Sequence, residues 1–304
     1  MTASMVVRML RELLESYRIY SVSITGGEPF LNRNCGRLLK ALSLLREGGK
    51  ITGFGVYSNA AYFEGVRRVF STYGQYLRGM DMGISIDGTE ETHDRLRGPG
   101  AYQKTFKTIE WIKENFGKDI ILEFKFTINR VNYNQLIDVY RLARRYDVRF
   151  SPKIMESGVT DYYHRHQMPE DKVLASLTPE MVESVRRQVI QMLDENYPGV
   201  EKDMVEATMV LLTGGRKCIR ACDTPAKSLF INSRREVFPC LYMSSAGKLG
   251  VDGSLPEEFE VVRKQHTQTG AQGKCPGCFA YHGFLKKFNL GYLQRQGAPQ
   301  HQLR

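Results

Sequence analysis

Apolar residues along the first two thirds of the chain follow two periods, one typical of helices and one typical of buried strands. Residues 5–17 carry apolar side chains at helical spacing with the charges between them, and Ser4 is placed to cap that helix. Short, mostly apolar runs predict five strands, at 21–25, 51–57, 82–86, 120–128 and 148–155. Helical patterns separate consecutive strands, at 34–47, 64–73, 102–116 and 133–146.

This alternation predicts an α/β fold of parallel βαβ units. The chain opens on a helix, whereas a helix in such a series normally follows a strand. We therefore expect a partial (β/α)6 TIM-like barrel whose first strand is missing. The pattern changes after about residue 214, where 228–231 and 236–238 predict a hairpin bracketed by cysteines. We expect a small C-terminal cysteine-rich α+β module there.

The resulting domain boundaries are 1–213 for the N-terminally truncated barrel, 214–290 for the cysteine-rich module and 291–304 for a flexible tail. A missing first strand leaves an unpaired sheet edge next to residues 21–25. We therefore expect the chain to be less stable than a version extended upstream, or to dimerise over that edge.

Composition narrows the class of protein. The 304 residues are 42% hydrophobic and 25% charged, which is typical of a globular protein and excludes a disordered chain or a coiled coil. No apolar run approaches the ~20 residues of a membrane helix, and the N-terminus has no secretory apolar region, so we expect a cytoplasmic protein without a membrane partner. The net charge of +10 is compatible with acidic peptides, phosphorylated ligands or nucleic acid. The even spread of Lys and Arg argues against nucleic acid.

Five of the six cysteines lie in the last third of the chain. They follow the spacing Cys218-x3-Cys222-x17-Cys240-x34-Cys275-x2-Cys278, and Cys35 stands alone. In a reducing compartment, clustered cysteines hold metal more often than they form disulfides. Four thiolates suit a tetrahedral zinc ion or a [4Fe–4S] cluster, and the sequence leaves both open. Cys35 is expected to be a small buried residue.

Small and polar residues follow the predicted strands, at the edge where parallel α/β sheets bind ligands. The first strand leads into Gly26, Gly27 and Glu28, and the others end at Ser58-Asn59, Ser85-Ile86-Asp87 and Thr127-Ile128-Asn129. Each has a structural alternative: Glu28 as a helix-entry carboxylate, Asn59 as a helix cap and Asp87-Gly88 as a turn.

In combination these segments resemble the radical S-adenosylmethionine (SAM) superfamily. The opening helix and residues 21–31, with Gly-Gly-Glu-Pro at 26–29, resemble the family's second strand and GGE motif. Residues 83–88, running on to His93-Asp94 and Arg97-Gly98, are similar to its fourth-strand segment. The hairpin and cysteines up to Cys278 look like a SPASM or shorter Twitch extension, which carries auxiliary [4Fe–4S] clusters. The resemblance covers about residues 5–280.

The resemblance implies a SAM site at the strand ends. The backbone of Gly26, Gly27 and Glu28 would take the methionine amino group. The ribose and carboxylate have candidate partners in Ser58, Asn59, Ser85 and Asp87, with Thr127 and Asn129 beyond them. One auxiliary cluster would be held by Cys222, Cys240, Cys275 and Cys278, with Cys218 as a further candidate ligand.

One departure from the family concerns the catalytic cluster. The family holds it with CxxxCxxC after the first strand, and these 304 residues contain no such motif, so no catalytic residue is assigned. The resemblance thus implies a radical SAM enzyme that is inactive as written, its catalytic [4Fe–4S] cluster requiring an upstream segment. Its reaction would be hydrogen abstraction from a peptide, protein or small molecule, with an electron donor such as flavodoxin or ferredoxin. The alternative is a non-catalytic binding or scaffold protein with a structural metal site on the C-terminal cysteines.

Overall fold

The computed structural model describes residues 2–155, 176–195, 228–240, 244–271 and 293–295. Its centre is a parallel five-stranded sheet in the order β2-β3-β4-β5-β6. The strands are β2 (Ser21–Ile24), β3 (Gly53–Ser58), β4 (Met80–Ser85), β5 (Ile120–Ile128) and β6 (Arg149–Ile154). The sheet confirms the α/β class and the five predicted strands. Closure into a partial barrel remains a prediction.

Helices connect consecutive strands, as parallel pairing requires. They are α1 (Ala3–Ser16) before β2, then α2 (Cys35–Glu47), α3 (Phe63–Tyr73), α4 (Glu90–Arg97), α5 (Ala101–Phe116) and α6 (Leu136–Arg145). After β6, α7 (Pro179–Glu195) packs against α6. The sequence pattern missed α4 because its eight residues are almost all polar, so it has no apolar period. It also misplaced the first cap: Thr2, not Ser4, accepts the hydrogen bond from the Met5 N–H (3.3 Å).

The two faces of the sheet differ in chemistry. One face is packed against helices and consists of buried apolar side chains such as Phe54, Met82 and Phe124. The opposite face, which we call the open face, carries Tyr57, Asp81, Gly83, Glu123 and Lys125. Along β5 every second side chain is buried, because successive side chains of a strand point to opposite faces of the sheet.

Strand β2 lies at one edge of the sheet. Within the described residues its ladder partner is β3. The unpaired edge left by a missing first strand remains a prediction. A cavity of about 320 Å³ lies beside this edge, lined by β2 and by Met9, Leu10 and Leu13 of α1 together with residues 228–231. The edge is therefore recessed between a helix and a second segment.

Short elements complete the described fold. The predicted hairpin is confirmed as β7 (Phe230–Ile231) and β8 (Val237–Phe238), which pair antiparallel and are followed by α8 (Phe259–Ala271). Strand β1 (Tyr17–Ile19) pairs antiparallel with β9 (Leu293–Arg295). Strand β9 falls within residues 291–304, for which a flexible tail remains a prediction. Among the described helices, none combines the length and apolarity that crossing a membrane requires.

Candidate functional site

The residues selected from the sequence lie at one edge of the sheet, because parallel strands end on the same side. We call this edge the strand-end rim and define it as residues 25–28, 58–59, 85–88 and 127–129. It joins the carboxyl ends of four neighbouring strands, which is where ligands bind in open α/β sheets.

The Gly-Gly turn after β2 exposes backbone to solvent. Gly26 and Gly27 have φ angles of +91° and +53°, values that L side chains rarely adopt. A Cβ atom built on either residue would meet no atom within 4 Å. The sequence therefore needs glycine for the conformation, and the space beside the turn is open to a ligand that approaches the backbone.

Glu28 joins the ends of β2 and β3. Its Oε1 accepts hydrogen bonds from the Ser58 hydroxyl (2.8 Å) and the Phe30 N–H (3.2 Å), and its Oε2 accepts one from the Asn59 N–H (2.9 Å). The side chain is thus a helix-entry carboxylate for the 3₁₀ turn Pro29–Leu31 and also a clamp between strand ends. Both carboxylate oxygens of Glu28 therefore have partners within the protein.

The loop after β3 is held by its own side chains and by α5. Asn59 Oδ1 accepts a hydrogen bond from the Ala61 N–H (2.9 Å), so Asn59 does not cap α3, which begins at Phe63. Thr105 and Thr108 of α5 donate hydroxyl hydrogen bonds to the carbonyls of Asn59 (2.9 Å) and Ala60 (2.6 Å). These bonds fix the backbone on which the candidate residue Asn59 stands.

Asp87 follows β4 and has a buried side chain. Its Oδ2 pairs with Arg97 Nε at 2.5 Å, and its backbone N–H donates to His93 Nδ1 at 3.1 Å. Its Oδ1 is buried and accepts no hydrogen bond within the described residues. Burial lowers the pKa of His93, which is 1% exposed, so the imidazole is neutral and its Nδ1 acts as an acceptor.

The polar segment after Asp87 thereby acquires individual roles that its sequence did not reveal. Asp94 accepts hydrogen bonds from the N–H groups of Gly100 (2.6 Å) and Tyr102 (2.7 Å), and these bonds lower the pKa of its carboxyl group. Asp94 therefore fixes the turn from α4 into α5. The sequence marked the residues of this segment through their resemblance to the family's fourth-strand segment, but that resemblance assigns no hydrogen-bond partner to any of them.

The loop after β5 contains two asparagines with different roles. Asn129, a candidate ligand residue, uses its Oδ1 to accept from the Val131 N–H (2.8 Å) and so closes its own loop. Asn132, which the sequence places just beyond this strand end as a further polar residue of the expected cofactor floor, is fully buried. It donates from Nδ2 to the carbonyls of Asp87 (2.9 Å) and Thr127 (3.0 Å) and accepts from the Asn129 N–H (2.7 Å).

The open face lies directly below the rim. The Tyr57 ring covers Gly83, where an added Cβ would come within 2.5 Å of a ring carbon. Lys125 Nζ pairs with Glu123 Oε2 at 2.6 Å and lies 5.5 Å from the Tyr57 ring centroid. Burial raises the pKa of Tyr57, which keeps the phenol neutral. A packed barrel interior consists mainly of branched apolar side chains, so this polar floor is suited to hold a ligand instead.

Two of the six cysteines, Cys35 and Cys240, lie within the described residues. Cys35 is buried at the start of α2, where burial raises the pKa of its thiol to about 12, as expected for an unreactive packing residue. Cys240 is buried after β8, whereas Cys218, Cys222, Cys275 and Cys278 lie outside the described residues. In the described ranges, no three His, Cys, Asp or Glu side chains converge as metal ligands.

Comparison with known proteins assigns the first half of the chain. Residues 1–143 match the family described as the radical SAM superfamily. The chain contains a radical SAM domain. The radical SAM domain spans α1 through most of α6, and therefore includes the whole strand-end rim and the open face down to β5.

Two relatives of the radical SAM domain are informative. The sporulation killing factor maturation protein SkfB of Bacillus subtilis (strain 168) is 27% identical over 132 residues, which cover 43% of this chain and 30% of SkfB. Among solved structures, Streptococcus suis SuiB bound to S-adenosylmethionine aligns with a TM-score of 0.59 at 16% identity, over 90% of this chain and 61% of SuiB. A second SuiB structure aligns equally well, with a TM-score of 0.59. The chain thus spans under two thirds of either relative, and the likeness to SuiB shows the fold.

Proposed function

We propose that the strand-end rim binds SAM and that the protein takes part in hydrogen abstraction from a peptide substrate. The observation that carries the proposal is the turn at Gly26 and Gly27, whose backbone borders open space at the end of β2 inside the radical SAM domain. SuiB, which has the same fold, was crystallised with SAM. The Ser85 hydroxyl and the unpartnered Oδ1 of Asp87 would supply polar contacts that a nucleoside and an amino acid require. The Ser58 hydroxyl is instead used within the protein, where it donates to Glu28 and accepts from the Ala60 N–H.

The protein's own part in this chemistry is binding and orientation. Bound SAM supplies, together with a reduced [4Fe–4S] cluster, the family's radical chemistry. Gly26 and Gly27 offer backbone groups, and Asp87 offers its unpartnered Oδ1 as an acceptor. Tyr57, Glu123 and Lys125 form the polar floor on which the substrate would lie.

A peptide is the proposed substrate class. SkfB is named as a maturation protein for a killing factor. The net charge of +10 favours an acidic peptide, because opposite charge speeds encounter and stabilises the complex. Reduction would come from a small electron carrier such as flavodoxin or ferredoxin, in the cytoplasm.

We further propose that Cys222, Cys240, Cys275 and Cys278, with Cys218 in reserve, hold one auxiliary [4Fe–4S] cluster in a SPASM- or Twitch-type module. Anaerobic reconstitution followed by metal analysis is the test, with about four iron and four sulfide per chain expected. Cys240→Ser is expected to lower both, and Cys35→Ser serves as the matched buried control that leaves both unchanged. One zinc without sulfide would instead support a structural metal site and a binding or scaffold role.

We also propose that this 304-residue polypeptide does not cleave SAM on its own, because it contains no CxxxCxxC motif. The reconstituted protein would be incubated with SAM and dithionite, and 5′-deoxyadenosine quantified by chromatography. The expected result is SAM binding without 5′-deoxyadenosine above the protein-free background. Formation of 5′-deoxyadenosine that depends on the protein would contradict the proposed inactivity and support an active enzyme.

A further inference from the structure

Asp87 differs from the other rim residues in one buried acceptor, its Oδ1, which has no hydrogen-bond partner in the described residues. Its other polar groups all have protein partners. Its N–H donates to His93, its carbonyl accepts from Asn132, and its Oδ2 pairs with Arg97. Only Oδ1 has no partner in the described residues, although it is buried. A buried acceptor without a donor is costly in a folded protein. Its persistence at a rim that is suited to a ligand indicates an acceptor reserved for a ligand donor.

Of the three residues that bond to Asp87, Asn132 is the one that also bonds to the end of a second strand. Asp87 follows β4, whereas Thr127 lies at the end of β5 and Asn129 begins the next loop. Asn132 Nδ2 donates to the first two carbonyls, and Asn132 Oδ1 accepts from the Asn129 N–H. Its side chain therefore sets the separation between two candidate ligand-binding segments that are 40 residues or more apart in sequence.

Asn132 cannot contact a ligand itself, because it is fully buried and its polar atoms are used within the protein. Any effect on binding must act through the groups that it holds. A carbonyl and an N–H that lose a buried partner rearrange to find another, and displacements of about 1 Å are enough to impair a site.

We infer that Asn132 is a positioning residue of the SAM site, which holds Asp87 so that its Oδ1 can accept a hydrogen bond from the bound ligand. The inference rests on the proposed function. Asn132 thereby joins the proposed SAM site as a residue that neither touches the ligand nor belongs to the strand ends.

The test uses the full chain and S-adenosylhomocysteine as the probe. Asn132→Ala is expected to raise the dissociation constant measured by calorimetry about tenfold. The matched control is Gln188→Ala. Gln188 is another buried amide that bridges two segments, accepting from the Ile137 N–H (3.2 Å) and donating to the Tyr133 carbonyl (2.9 Å), and neither partner belongs to the rim. The Gln188→Ala variant is expected to be less thermally stable than the wild type. Its dissociation constant for S-adenosylhomocysteine should stay within twofold of the wild-type value.

A double-mutant cycle separates positioning from general damage. If Asn132 acts through Asp87, then Asn132→Ala adds little to the loss of affinity caused by Asp87→Ala, whereas independent roles give additive losses. Should Asn132→Ala fail to fold, Asn132→Asp keeps the shape and the acceptor but removes the two donated hydrogen bonds.

The outcomes distinguish failure of the proposed SAM site from failure of the positioning role of Asn132. A wild-type chain that does not bind S-adenosylhomocysteine would contradict the proposed function itself. Wild-type binding with unchanged affinity in Asn132→Ala, or with additive losses in the cycle, would overturn the positioning role and leave the proposed function intact. Reduced affinity with strong coupling to Asp87 supports the inference.

Discussion

At the scale of single residues, the carboxylate of Glu28 joins two strand ends through three hydrogen bonds. Glu28→Ala leaves the Ser58 hydroxyl and the Asn59 N–H without this acceptor, so we expect the free energy of unfolding to fall by about 1–3 kcal/mol. Urea denaturation measures the change. Glu64→Ala is the control: it removes an exposed ion pair with Arg67, which is worth less than about 1 kcal/mol. Equal losses in the two variants would contradict the clamp.

Alanine substitutions can separate two effects of the Gly-Gly turn, the backbone strain of a side chain at positive φ and the blocking of the SAM site by that side chain. Gly27→Ala places a side chain at a φ of +53°, which costs about 1–2 kcal/mol of stability. The new methyl group also occupies the open space, so SAM binding measured by calorimetry should be lost. Gly49→Ala, at a φ of +68° with equally open surroundings after α2, should cost similar stability and leave SAM binding unchanged. Retained binding in Gly27→Ala would show that the turn does not face the ligand.

His93 gives the rim a dependence on pH. Burial lowers its pKa below the ordinary histidine value of about 6.5, so the unfolded chain takes up a proton at a higher pH than the folded chain does. The stability that His93 contributes is therefore complete above about pH 6.5 and declines as the pH falls towards the folded pKa. His93→Asn keeps an acceptor for the Asp87 N–H but does not titrate. Urea midpoints at pH 5.5 and 7.5 should differ less in this variant than in the wild type, and equal differences would contradict the assignment.

The residues at the rim were predictable, whereas their partners were not. Gly26, Gly27 and Glu28 were identified because a glycine pair after a short strand is a local pattern. The bond of Asn132 to Asp87 was missed, since the two residues are 45 apart in sequence and only the folded sheet brings them together. The same holds for Glu28 and Ser58, which are 30 apart.

At the scale of elements, apolar periodicity located the helices and strands that pack in the hydrophobic core. It missed elements that contribute few side chains to the core. The predicted strand at 120–128 coincides with β5, whose alternation is complete over nine residues. The polar helix α4 gave no such pattern, and its position depends instead on Asp87, Asp94 and the turns that they fix. Strand β1 has three residues and pairs with residues 293–295, a contact that no local pattern encodes.

The recessed edge of β2 leads to a prediction about an added strand. A version of the chain extended upstream by a strand and a loop should pair with Ser21–Ile24 and bury the apolar side chains of α1 that line the cavity. It should therefore melt at a higher temperature than the 304-residue chain, or the shorter chain should dimerise over this edge. Differential scanning calorimetry and light scattering measure both. Equal melting temperatures with a monomeric shorter chain would contradict the prediction.

At the scale of the whole molecule, the apolar face and the open face of one sheet divide structural and chemical roles. Helices cover the first, while the second keeps glycines and charges below a rim of polar strand ends. The radical SAM domain at residues 1–143 contains the rim and most of the open face. The metal site predicted from the cysteines depends mainly on residues outside the described part, so sequence spacing alone carries it.

Hydrogen–deuterium exchange of the full chain with and without SAM tests whether the strand-end rim is the SAM site. We expect slower exchange in peptides that cover residues 25–28, 58–61 and 85–89, where the backbone N–H groups border the proposed ligand. Peptides from the opposite ends of the same strands, such as 51–53 and 118–121, should not change. Protection confined to other segments, or no protection at saturating SAM, would show that SAM does not bind at the strand-end rim.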